Sequence, residues 1–120
     1  MTVRRIKTYT GAQGYVYEYY FVGKRDALPA DSPAKAIEYV FDVSYDRKKT
    51  FAVSVFLPEV VVKGWARIHG RDLTDAEQYG AVKMRLFQAF DEVENMLANG
   101  RRLNLEASGL DQLLSTLGVV

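Results

Sequence analysis

The sequence predicts a single α+β domain over residues 1–120: a mainly antiparallel sheet of about five strands, in the order ββββ-α-α-β-α, with helices packed on one face. Three observations predict it. Apolar residues recur at every second position through the first half of the chain and at every third or fourth position through much of the second. Strands are grouped before helices rather than alternating with them, which disfavours a parallel α/β fold. The chain has 120 residues, 48% of them hydrophobic and 26% charged, and shows no repeat, low-complexity tract or Pro/Ser-rich linker that would divide it.

Val3 to Thr10 is a short β-tolerant run, and Gly11 to Gly14 supplies a turn. Gly14 to Gly23 follows, dense in aromatic and β-branched residues and bounded by glycine, and reads as a strand. Its face of Tyr15, Tyr17, Tyr19 and Phe21 is expected to be core against Phe41, Val53 and Leu86; Val16, Glu18, Tyr20 and Val22 take the opposite face. Lys24 to Ala36 holds Pro29, Asp31, Ser32 and Pro33 and reads as a surface loop. Two alternating runs come next: Tyr39, Phe41 and Val43 oppose Glu38, Asp42 and Ser44, then Phe51, Val53, Val55 and Leu57 oppose Thr50, Ala52 and Ser54. The short polar Asp46 to Lys49 between them predicts an antiparallel hairpin with a solvated tip.

Residues 59–69 carry mixed signals. Val60, Val61 and Val62 favour a strand, whereas Pro58 suits a first helical turn and Val61, Trp65 and Ile68 fall on one helical stripe, so the helix is preferred. Thr74 with Glu77 forms a capping box, and Tyr79, Val82, Leu86, Phe90, Val93 and Leu97 then predict one long helix ending at Asn99-Gly100. Asp91, Glu92 and Glu94 sit near its C-terminal end against the helix dipole, a tension resolved either by an early stop near Asp91 or, the preferred account, by Arg101 and Arg102 folding back. Arg101 to Ala107 alternates as a fifth strand. Ser108 and Asp111 stand at capping positions for a last helix with the stripe Leu110, Leu113, Leu114 and Leu117, stopped at Gly118.

Composition excludes several classes of function. Without cysteine there is no disulfide, thiolate metal site or cysteine nucleophile, and a cytoplasmic location is the default expectation. A net charge of +1 lacks the basic excess of a duplex-binding protein, although residues 1–50 hold nine Lys/Arg against six Asp/Glu and residues 91–120 hold two against five. No run approaches the ~18 apolar residues of a membrane span, and the start lacks the apolar stretch of a signal peptide.

The glycines never assemble a phosphate-cradling loop, and the single His69 cannot found a histidine-rich metal site. None of the serines stands in a nucleophile-elbow context. No cofactor or metal is therefore expected. Gln13 to Tyr20 overlays the RNA-recognition-motif octamer at Gly14, Tyr15, Tyr17 and Tyr20, but Gln13, Val16 and Glu18 depart from it and no helix precedes the strand.

Two constellations remain. Tyr20 marks a strand face unusually apolar for solvent, calling for cover by the last helix, a twin subunit or a partner. Trp65, Arg67, His69 and Arg71, with Lys63 alongside, could form an anion or single-strand stacking site, against the simpler reading of Trp65 as core and His69 as a dipole-favoured helix end. Asp91 and Glu94 share a helical face on which an acid/base pair or a divalent site is geometrically conceivable. The leading expectation is a non-catalytic domain acting through a protein partner or self-association, with no membrane role. A nucleic-acid or anionic-ligand binder is second, and an enzyme without recognisable motif is third.

Overall fold

A computed structural model describes residues 5–29, 35–45 and 49–119. The elements run β1 (Lys7–Thr10), β2 (Val16–Ala27), β3 (Ala36–Tyr45), β4 (Lys49–Pro58), α1 (Glu59–His69), α2 (Asp75–Glu92), α3 (Met96–Asn99), β5 (Arg102–Asn104) and α4 (Ala107–Thr116). The sheet order is β1-β2-β3-β4-β5, antiparallel throughout except for β5, which pairs with β4 in parallel. This is the α+β architecture the sequence predicts, with a short α3 added.

The helical side of the sheet is lined by Tyr17 and Tyr19 of β2, Tyr39, Phe41 and Val43 of β3, and Phe51, Val53, Val55 and Leu57 of β4. Val82, Leu86 and Phe90 of α2 pack onto this face, and Leu110 and Leu114 extend the core into α4, which rests on α1 and α2. Phe90 stacks face to face on Tyr17, centroids 4.1 Å apart. The close fit continues at Gly11, where an added Cβ would stand 2.7 Å from the Phe90 carbonyl oxygen.

Several expectations need correction. Tyr15 and Phe21 are not core: each is 38% exposed, because Tyr15 precedes β2 and Phe21 lies against Tyr79 at the margin of α2. Lys24 to Ala27 is strand rather than loop. After a bulge between Phe21 and Gly23 the ladder resumes, Lys24 opposite Tyr39 and Arg25 opposite Glu38, so cross-strand pairing overrides the polar composition. Pro33, Asp31 and Ser32 of the expected loop, Val3 of the first strand, and Asp46 to Lys48 of the hairpin tip lie outside the described residues. The pairing of Tyr45 with Lys49 fixes the hairpin as antiparallel.

Residues 59–69 are helical. Trp65 is buried and Val61 half-buried, but Ile68 is 84% exposed and leaves the stripe. Gly70 closes the helix in the left-handed conformation, φ 74°. The Thr74–Glu77 capping box is present, but α2 stops at Glu92 instead of reaching Asn99: Val93 is extended and Asn95 starts α3 by accepting a bond from the Ala98 N–H.

The stop coincides with a contact from the far end of the chain. Asp91 accepts 2.8 Å and 2.9 Å bonds from the Tyr9 hydroxyl and the Ala12 N–H, which tie β1 to the helix end. Arg101 and Arg102 do not fold back to it, since Arg101 Nε donates to the Ala52 carbonyl and Arg102 lies over Phe56. In α4 the N-cap is Glu106, without a side-chain bond, and Ser108 lies inside the first turn.

The start of α2 is an acid-sensitive point. Arg71 donates from Nη1 and Nη2 to the two Glu77 carboxylate oxygens at 2.9 and 2.8 Å, and the Thr74 N–H donates to Oε1. The Arg71 bonds first, and the Thr74 N–H second, hold the Glu77 carboxyl down to about 2. A folded value below the unfolded one, near 4.3, means a contribution fully present above the unfolded value and lost as pH falls through the range down to about 2. Glu77→Gln should therefore lose less stability than the parent across that range in urea titrations. Parallel pH profiles for the two proteins would refute this role.

Candidate functional site

Among the described residues all four helices lie on one side and the other face of the sheet is open, and the register lays its residues out in rows. Tyr20, Asp42 and Ala52 stand side by side; Gly23, Val40 and Ser54 form the next row, and Arg25, Glu38 and Phe56 the one after. β5 extends these last two rows with Arg102 and Asn104. Val16 and Val22 are exposed, Tyr20 and Val40 half-buried. Glycine, alanine and serine near the centre give the face low relief.

Several polar and charged groups on this face hold one another in place. The Tyr20 hydroxyl donates to the Asp42 carboxylate. Arg25 Nε donates to Glu38 Oε1 at 2.9 Å and Ser54 Oγ to Glu38 Oε2 at 2.6 Å, while the Arg102 guanidinium lies 4.7 Å from the Phe56 ring centroid. Glu38 is only 8% exposed, yet its carboxyl is held below the usual carboxylate range by the bonds from Arg25 and then Ser54, which outweigh burial. Sequence reading missed this network. Arg25 reads as loop, and the alternation that puts Glu38 on a wet face carries no sign of the arginine across the ladder.

The second constellation lies on the helical side. Trp65 is 4% exposed; its ring stacks on His69 with centroids 4.1 Å apart and 15° between planes, and the Arg71 guanidinium sits 5.1 Å from its centroid. Arg71 is also the partner of Glu77, and His69 Nε2 stands 3.3 Å from Asp111 Oδ1. Arg67 is exposed on the same helix. The structure thus brings Trp65, His69 and Arg71 into one stack, leaves Arg67 exposed at a helix position two residues from both Trp65 and His69 and so off their face, and places Tyr20 on the opposite side of the sheet. Asp91 and Glu94 do not share a helix face, because α2 ends between them.

Among the described residues, no group of three or more His, Asp or Glu side chains is arranged to hold a metal ion. No helix among them is long and apolar enough to cross a membrane. No family model, curated protein or solved structure matches the chain.

Proposed function

We propose that the chain is a non-catalytic association domain, cytoplasmic in keeping with its lack of cysteine, that joins a protein surface through the open face of its sheet; a second copy of the chain is the first partner to test. One observation carries the reading. Two carboxylates of this face already have partners within it, Glu38 in Arg25 and Ser54 and Asp42 in the Tyr20 hydroxyl, so a partner can cover them without breaking their hydrogen bonds. Its size also suits association. The long strands β2, β3 and β4 span 10–12 residues each, so the face measures roughly 30 Å by roughly 20 Å, which approaches the ~800 Å² per partner of a standard interface. The alternative, an anionic or single-stranded ligand at Trp65, has less support: the ring is buried, and Arg71 and His69 face Glu77 and Asp111.

Ala52 is exposed on this face in the row of Tyr20 and Asp42, so Ala52→Lys adds charge there with little effect on folding. Sedimentation of the parent should give a mass at a multiple of 13.6 kDa, and the variant should return to 13.6 kDa. A dimer that survives the lysine would move the interface elsewhere. A parent monomeric at high concentration would remove self-association.

A further inference from the structure

On the helical side, a cavity of about 420 Å³ opens between α2 and α4 at the end of β5, a volume within the ~300–1,000 Å³ range of small-ligand sites. Its lining is mostly polar. Arg85, Gln88 and Glu92 of α2 recur at i, i+3 and i+7 and so form one stripe along that helix. Asn104 ends β5, Glu106 is the N-cap of α4, and Gln112 lies within α4.

Arg85 is half-buried and anchored, its Nε donating to the Asn104 carbonyl oxygen at 3.1 Å. Neither its Nη groups nor the carboxylates of Glu92 and Glu106 make a hydrogen bond or ion pair among the described residues. Opposite charges thus border one cavity without meeting in it. Glu106 follows Asn104 by two residues and stands at the Arg85 end, where its exposure lets solvent weaken its repulsion of a second anion. Glu92 is seven residues beyond Arg85, roughly 10 Å farther along the helix.

Each group selects its complement. A guanidinium fork takes a carboxylate through paired N–H bonds, a carboxylate takes an ammonium, and the amides of Gln88 and Gln112 both donate and accept, as a peptide bond does. A hydrocarbon guest would leave all of them unpaired. An extended peptide advances ~3.3–3.6 Å per residue, so two or three residues set their terminal ammonium and carboxylate roughly 7–10 Å apart. That span matches the separation of Glu92 from Arg85.

We propose that Arg85, Gln88, Glu92 and Gln112 form a binding site for a short zwitterionic peptide, its carboxylate on Arg85 and its ammonium on Glu92. The site lies across the sheet from the open face, so it stands or falls independently of the association reading.

The test is titration of the full chain, followed by its backbone amide resonances, with trialanine, N-acetyl-trialanine and trialanine amide. Trialanine should saturate, and each capped form should bind roughly tenfold more weakly, because each loses one charge-assisted contact. Two variants then assign the ends. Arg85→Gln should bind trialanine and its amide equally, and Glu92→Gln should bind trialanine and the acetylated form equally, each at roughly a tenth of the parent affinity. Glu92 is exposed near the end of α2, so Glu92→Gln folds and decides the question even if the loss of the Arg85 bond to Asn104 unfolds the other variant. No saturable shift with trialanine, equal binding of either capped form by the parent, or full trialanine affinity in Glu92→Gln would overturn the site.

Discussion

Phe90→Ala is expected to cost about 3–5 kcal/mol in urea unfolding, the upper range for a large-to-small change in a core that cannot collapse. Phe90 is fully buried and touches more than its own helix. It stacks on Tyr17, meets Tyr19 at 6.1 Å and Tyr9 at 5.7 Å between centroids, and so joins α2 to both β1 and β2. A loss that large is a substantial part of the roughly 5–15 kcal/mol typical of a domain. The unfolding midpoint should fall with its slope unchanged. A loss below about 1 kcal/mol would mean that the surrounding rings close the space, contrary to the packing described.

Trp65 should separate size from polarity. Trp65→Ala is expected to cost about 3–5 kcal/mol, because it removes the largest side chain between α1 and the core and the platform on which His69 and Arg71 rest. Trp65→Phe should cost under about 1.5 kcal/mol. The Trp65 indole N–H is buried with no hydrogen-bond partner among the described residues, so phenylalanine gives up volume but also relieves an unsatisfied donor. Chemical denaturation of the two variants gives the comparison. A phenylalanine as costly as alanine would show that the indole N–H makes a bond essential to the fold.

The parts of the fold legible in the sequence are those set by near neighbours. Alternation in residues 39–57 marks β3, β4 and their inward faces, and Thr74 with Glu77 fixes the start of α2 to the residue. The parts that were not legible depend on partners far along the chain. Lys24 and Arg25 become strand because Tyr39 and Glu38 lie across from them, and α2 stops where Asp91 meets Tyr9 and Ala12. Ile68 shares the helical spacing of Val61 and Trp65, yet faces solvent because a short helix end offers the core only part of its stripe.

The candidate sites divide the same way. Tyr20 is recognisable as an outward aromatic, but its bond to Asp42 and the Arg25–Glu38–Ser54 network exist only through register.

The strand order β1-β2-β3-β4 follows the chain, and only β5 returns from a distance, pairing with β4 after α1, α2 and α3 have intervened. A chain leaving the ribosome can therefore zip its first four strands by successive hairpins while their aromatic inner face still has nothing to cover it. Cover comes with α2, and the parallel pairing of Ser54 to Phe56 with Arg102 to Asn104 closes last, after the costliest loop. During that interval the nascent sheet is at its stickiest. The charged run Lys24, Arg25 and Asp26, along the stretch of β2 that β1 does not pair with, then guards an edge that would otherwise recruit a neighbouring chain before synthesis is complete.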